Sequence, residues 1–321
     1  MTAAANKVLV SGASGFIGLA LCQQLLQAGY AVKALGRNLA ALQNLAQRYP
    51  QQLECVNQDL VAAAPTPELF NNVDFVVHLA AYASAAGISA AALKALNVDA
   101  SVALAQQAQQ AGVKRFIFLS SAQVVAIKGA IKGSESFNPQ DSYALSKLAA
   151  EQALQALCQQ GACSMQLVII RPPLVYGPGV KGNFARLQQA VASGRWLPLG
   201  GLKHNKRSYL ALLNLTDFIQ LCITHPQAAD QPWQLSDNAD ISTRELISNM
   251  ARAQGKPARL LPVPLWLLGT IGKLTGHSGA VSRLTSAMQL DISATQQQLG
   301  WQPVITMKQQ LALMCQSAAV E

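Results

Sequence analysis

The stretch LVSGASGFIG, residues 9 to 18, constrains this chain more than any other. A β-branched run, KVLVSG, leads into it, and an apolar run of helical length, about 16 to 28, leaves it, with glycines at 12, 15 and 18. A strand that passes into a helix through regularly spaced glycines makes a turn too tight for side chains. In such a turn Gly12 permits the reversal and Gly15 lets the backbone approach a pyrophosphate. Unpaired amides and the helix dipole favour an anion there. Gly18 allows close helix-to-strand packing, and Phe16 and Ile17 lie on the same cofactor-facing turn. The competing reading is a plain structural turn in an α/β protein that binds no nucleotide.

The rest of the first half supports the strand-turn-helix context. Short β-branched runs (AVKALG, LECVN, VDFVVHLA, VKRFIFLS, MQLVII) alternate with segments of helical length at about 38 to 48, 87 to 111 and 143 to 160. That alternation, with strands apolar on both faces, predicts an α/β fold: a Rossmann-type, doubly wound parallel sheet. After IIRPPLVYGPG the rhythm breaks and Pro and Gly become frequent. The expected organisation is a dinucleotide-binding domain over 1–170 and a smaller mixed substrate lobe over 171–321, with some late segments returning to the first domain.

Composition narrows the class. At 321 residues and 51% hydrophobic, the chain can bury a sizeable core, which argues against disorder. No leading segment looks like a secretion signal, so a cytoplasmic location is expected. The six cysteines show no metal-site spacing and read as reduced, buried thiols without a metal. The apolar stretch LLPVPLWLLGTIGKLTG is broken by prolines and glycines and is too short to span a bilayer, so it reads as a buried helix with no membrane insertion. Trp233, Trp266 and Trp301 are expected to pack the small lobe. The net charge of +9 is compatible with nucleic acid, a membrane surface or anionic small molecules. Its densest cluster, KHNKR at 203 to 207, has neither interleaved aromatics nor a nucleic-acid-binding motif, so nucleic acid ranks last.

The end of the second strand speaks to cofactor choice. NAD-selective sites place a carboxylate there, whereas an arginine accommodates a 2′-phosphate. Here Arg37 holds the position and residues 31 to 48 contain no acid, which favours NADP and leaves NAD possible. Asp59 and Leu60, after the third strand, are placed to meet the adenine.

The chemistry is carried by FLSSAQVV and SYALSKLAAEQAL. Tyr143 and Lys147 are four apart on a helix and share a face. A lone Tyr-x-x-x-Lys is common by chance, but this one follows a strand ending in Ser120 and Ser121. An adjacent ammonium is expected to lower the tyrosine pKa from about 10 toward neutrality, making Tyr143 a proton-exchanging group. Ser121 would hydrogen-bond the same substrate oxygen, and Lys147 would also hold the nicotinamide ribose. His78, on a buried strand, reads as a neutral core residue.

With these motifs the chain resembles the extended short-chain dehydrogenase/reductases of the UDP-glucose 4-epimerase-like group, over nearly its whole length. The resemblance implies that HLAA at 78 to 81 supplies a cofactor wall through Leu79, Ala80 and Ala81, with Asn97 as the family's helix asparagine. It also implies that RPPLVYGPGVKGNF carries the sugar nucleotide on Asn183 and that Arg207 in KRSYLALLNLTD grips the diphosphate. Arg283 is a second diphosphate candidate, and LGWQP matches a closing motif. A UDP-sugar substrate and a possible homodimer through the helices at 87 to 111 and 143 to 160 follow from the same resemblance.

Two departures bear on the reaction. Val124, Val125 and Ala126 stand where the family commonly has Val-Tyr-Gly, and Arg37 replaces a carboxylate. Because an enzyme that consumes reducing power gains from NADPH, the reading leans to NADPH-dependent reduction of a UDP-4-keto-(6-deoxy)-hexosamine for surface polysaccharide synthesis. The alternative is a UDP-hexose or UDP-N-acetylhexosamine 4-epimerase, and a third reading is a non-catalytic dinucleotide sensor. A 4,6-dehydratase is disfavoured because SAQVV offers no acid.

Overall fold

The computed structural model describes residues 6–84, 86–125, 129–131, 137–159, 164–274 and 285–317. In chain order, β1 (Lys7–Ser11), α1 (Phe16–Gln27), β2 (Ala31–Gly36), α2 (Gln43–Arg48), β3 (Leu53–Asn57) and β4 (Phe75–His78) come first. Then follow α3 (Ala90–Lys94), α4 (Ala100–Gln110), β5 (Arg115–Leu119), β6 (Gly129–Ile131), α5 (Ser142–Gln159), β7 (Gln166–Arg171) and β8 (Leu174–Tyr176). The remainder comprises α6 (Gly182–Ala192), β9 (Tyr209–Ala211), α7 (Leu212–Thr224), β10 (Pro232–Gln234), α8 (Thr243–Ala253), α9 (Leu265–Leu274), β11 (Met288–Leu290), α10 (Ser293–Leu299) and α11 (Met307–Ser317).

Seven strands form one sheet in the order β10-β7-β5-β4-β1-β2-β3, with every pairing parallel. The expected Rossmann-type α/β fold is therefore present. Side chains alternate across a strand, so each run fills two cores at once. Val8, Val10, Val77 and Ile117 pack under α1 and α7 with Leu21, Leu25, Leu215 and Phe218. Leu9, Val76, Phe116 and Phe118 pack on the other face against Leu104, Ala105 and Leu154 of α4 and α5. The order of connection reverses between β1 and β4, and at such a switch point the carboxyl ends of the strands leave a crevice for a ligand.

A separate cluster (Tyr176, Phe184, Tyr209, Ile247, Met250, Leu311) forms the core of the smaller lobe under α6, α8 and α11. The seventh strand of the main sheet, β10, comes from beyond residue 230 and pairs with β7 from Ile169 to Arg171. Three expectations are corrected. Trp233 and Trp301 pack the main sheet core, the first donating to the Ala228 carbonyl and the second lying edge-on to Phe218, because the segments carrying them return to that domain. Trp266, at the start of α9, is 72% exposed. The helix over 87 to 111 runs through a π turn at Ala95–Asp99. Of the described cysteines, Cys22 and Cys222 are buried and Cys55 is exposed. Among the described residues no helix is long and apolar enough to cross a membrane, and no group of ligands could hold a metal ion.

Candidate active site

The glycine turn sits at the crevice. Gly12 has φ of 70°, and a Cβ there would lie 2.8 Å from the Ala80 amide, so the turn and the β4 exit touch backbone to backbone. A Cβ on Gly18 would lie 2.2 Å from the Gly12 carbonyl, which no side chain survives. Gly15 differs: a Cβ would meet only the Gly12 oxygen, at 3.1 Å, and would otherwise project into open space above the start of α1. No side chain caps that helix start and no acid lies in its first turn. Its free amide groups and the open space fit a pyrophosphate.

Beneath the turn runs a buried polar chain. The Ser11 hydroxyl accepts from the Leu79 and Ala80 amides and lies 2.6 Å from Nδ1 of His78, whose Nε2 is 2.8 Å from the Ser101 hydroxyl. Ser101 donates to the Asn97 carbonyl, so it must accept from Nε2–H, and Nδ1 must accept from Ser11. This assigns His78 as the neutral Nε2–H tautomer. Burial, aided by the Lys147 charge, pushes its pKa down to about 3. The polar chain fixes Leu79 and Ala80 against the glycine turn.

Arg37, just past β2, is exposed, and its guanidinium lies 4.0 Å from the carboxylate of Asp59. The acid missing from residues 31 to 48 is thus supplied by the loop after β3. This rim of the crevice carries both charges, and Leu60 beside it is buried.

Ser121 follows β5, caps a short turn by accepting from the Gln123 amide, and hydrogen-bonds the Tyr143 phenol. Lys147, one turn further along α5, is fully enclosed; it donates to the Leu119 carbonyl at 2.8 Å and lies 4.6 Å above the Phe118 ring. The fold brings Ser121, Tyr143 and Lys147 together at the carboxyl end of β5. The expected lowering of the tyrosine pKa is not found. Burial dominates and pushes the phenol up to about 12, while the same loss of solvent pushes Lys147 down to about 7. The adjacent Ser120 hydroxyl is buried with no partner among the described residues.

Asn97, on the π turn, is fully buried. Its side chain spans the Tyr82 amide and carbonyl and donates to Ser146, which in turn donates to the Tyr143 carbonyl. The extra residue of the π turn turns this side chain toward α5. Sequence reading missed two supports. Arg171, at the end of β7, grips Glu151 with two bonds of 3.0 and 2.5 Å, both residues being buried. The spacing was visible, since Glu151 lies one turn beyond Lys147. The Ser11–His78–Ser101 chain offered no comparable signal.

On the substrate side, Asn183 is exposed in the first turn of α6. Arg207 is half-buried, pairs through its backbone with Ile241 and reaches the Ser286 hydroxyl at 3.3 Å. Arg283 lies outside the described residues. Val124 and Val125, at the departure from the family pattern, are buried against Leu148, Met288 and Leu290. They seal the join between β5 and the small lobe.

The NAD dependent epimerase/dehydratase family model matches residues 8–235, a span that includes the glycine turn, Ser121, Tyr143, Lys147 and Arg207. The chain belongs to this family. Among its relatives, a UDP-glucose 4-epimerase of Vibrio cholerae is 40% identical over 313 residues, 95% of this chain and 93% of that protein. An N-acetyl-alpha-D-glucosaminyl-diphospho-ditrans,octacis-undecaprenol 4-epimerase of Escherichia coli O157:H7 is 27% identical over 289 residues, 86% of this chain and 83% of that protein. The fold superposes on a UDP-glucuronic acid 4-epimerase from Bacillus cereus in complex with NAD. The TM-score is 0.80 at 20% identity, covering 98% of this chain and 99% of that one.

Proposed function

We propose that this family member is an NAD-dependent UDP-hexose 4-epimerase. The observation that carries the reading is the enclosed Ser121, Tyr143 and Lys147 set beside a pyrophosphate-shaped turn, in a chain 40% identical over 95% of its length to a UDP-glucose 4-epimerase. NAD, when bound, supplies a hydride acceptor and a positive charge near the phenol. Gly15 and the α1 amides would hold its pyrophosphate, Asp59 its adenosine end, and Lys147 its nicotinamide ribose.

Tyr143 then takes the proton of the sugar C4 hydroxyl as C4 is oxidised, and returns a proton when C4 is reduced on the opposite face. Ser121 donates to the same oxygen throughout. A cofactor charge near the phenol lowers the cost of the phenolate that burial otherwise disfavours. Arg207 is placed for a diphosphate oxygen and Asn183 for the nucleotide side. The homodimer implied by the resemblance would form on α4 and α5, where Leu145 is exposed.

One observation favours a second reading, NADPH-dependent reduction of a UDP-4-keto sugar: Arg37 stands exposed at the end of β2. Asp59 opposite it weighs against a 2′-phosphate by like-charge repulsion. Incubation with UDP-glucose and UDP-N-acetylglucosamine without added reductant, and separately with a UDP-4-keto sugar plus NADPH, read by NMR, separates the two. Galacto products are expected. Consumption of one NADPH per UDP-4-keto sugar with no interconversion of the simple sugars would replace the epimerase by the reductase. Cofactor binding with neither reaction would leave a non-catalytic sensor.

A further inference from the structure

Two of the four tryptophans point into solvent, Trp196 at 60% exposure and Trp266 at 72%. Trp196 belongs to a segment that runs parallel to residues 259–263, joined by Leu197 N–H to the Arg259 carbonyl at 2.9 Å and Leu261 N–H to the Leu197 carbonyl at 2.8 Å. In this parallel register Leu197 and Leu260 share a face, and both pack on the small-lobe core. Side-chain alternation then puts Trp196, Pro198, Arg259 and Leu261 together on the outer face, in accord with their exposure. Trp266 follows in the first turn of α9, a helix that buries Leu268 against the protein.

The ledge is built from two basic stretches of the sequence. No Asp or Glu occurs between Glu151 and Asp217 or between Glu245 and Asp291, and those two stretches hold seven and five Lys or Arg. At this ledge Arg259 holds the Gly194 carbonyl at 3.1 Å, Lys256 holds that of Ala192, and Arg195 is exposed. Exposed indoles beside Arg195, Lys256 and Arg259, on stretches of chain that carry no acid, match the anionic headgroup layer of a bilayer. A second copy of the chain would bring the same positive face and be repelled.

We propose that the ledge formed by Trp196, Leu261 and Trp266 docks the protein peripherally on anionic phospholipid. The indoles seat at headgroup depth and the surrounding Lys and Arg pair with lipid phosphates. Ten-residue α9 is far short of the ~20 residues a span requires, so this is attachment to a surface.

The test is co-sedimentation of the full chain with phosphatidylcholine vesicles, with or without phosphatidylglycerol, read together with tryptophan fluorescence. Binding is expected only with phosphatidylglycerol, with a blue shift and quenching by brominated lipid, because Trp233 and Trp301 are already buried. Raising salt from about 0.1 to about 1 M should release the protein. Trp196→Ser with Trp266→Ser should weaken binding about tenfold or more while thermal midpoint and activity hold, and Arg195→Glu with Arg259→Glu should do the same. No partitioning at low salt, or partitioning that the tryptophan variants leave unchanged, would overturn the proposal. So would tryptophan-dependent binding to duplex DNA in place of vesicles, or tryptophan-dependent self-association seen in sedimentation.

Discussion

His78, Lys147 and Glu151 are ionisable side chains deep in the protein, and each is held by a different device. His78 stays neutral between two hydroxyls, Lys147 leans on one carbonyl and an aromatic face, and Glu151 is gripped by Arg171 through two hydrogen bonds. The His78 pKa is held near 3, below its ordinary 6.5. An unfolded chain therefore binds a proton that the folded one refuses. Stability is full above pH 6.5 and declines as pH falls toward 3, by up to about 1.4 kcal/mol per pH unit from this group. Urea unfolding across that window should show the decline flattened in a His78→Gln variant, relative to the wild type. Breaking the Arg171–Glu151 pair with Glu151→Gln leaves a buried guanidinium short of its partner and should cost about 3–5 kcal/mol in the same assay. Tyr143→Phe removes the hydroxyl proposed above to carry the proton, and little else. Turnover should fall by about 10²–10⁴, with cofactor affinity measured by fluorescence nearly intact.

At the scale of elements, close backbone approach governs the front of α1. Gly18→Ala would drive a methyl to 2.2 Å from the Gly12 carbonyl, so the turn must open and cofactor affinity should collapse along with the thermal midpoint. Gly29, with φ of 87° and nothing within 4 Å, is the matched control. Its alanine variant should cost only about 1–2 kcal/mol of left-handed strain and leave cofactor binding alone. α8 begins with a capping box in which Ser242 and Glu245 satisfy each other's backbone amides, and Glu245 also meets Lys206. These donors lower the Glu245 pKa to about 2 from 4.5, so the cap is intact above pH 4.5 and lost as pH falls through 2. Ser242→Ala should cost about 1 kcal/mol at neutral pH, read as a small fall in melting temperature.

For the molecule as a whole, β10 is the strand that closes the sheet on the β7 side, and it arrives some sixty residues after β7 in the chain. It carries Trp233 into the core between the sheet and α7. A fragment ending at residue 170 would expose the β7 edge and lose α7, whose Leu215, Phe218 and Ile219 cover one face of the sheet. Such an edge is a template for aggregation. The fragment should therefore precipitate or remain unfolded, by circular dichroism and sedimentation, whereas the full chain should stay folded and in solution in the same assays. A folded, cofactor-binding 1–170 fragment would show that the late segments are dispensable to the sheet.

The residues alone settled β1, β2, β4, β5 and β7, because a strand covered on both faces must be largely apolar, and α1 and α5, because a helix must repeat every third or fourth residue; β3, an edge strand with Glu54, Cys55 and Asn57 exposed, was legible only from its place in the strand-helix alternation. The residues alone also settled the glycine turn, since only glycine survives at 2.2 Å from a carbonyl, and the Tyr143–Lys147 face, since one helical turn is a local distance. Only the tertiary structure decided that Asp59 stands across from Arg37, that Trp233 is buried while Trp266 is exposed, and that three residues beginning with Pro232 complete the main sheet. The π turn beneath Asn97 and the rise of the Tyr143 pKa belong with these. Periodicity and turn chemistry are set by neighbours along the chain. Burial, and with it the charge state of a buried group, is set by residues that meet only after the chain has closed around them.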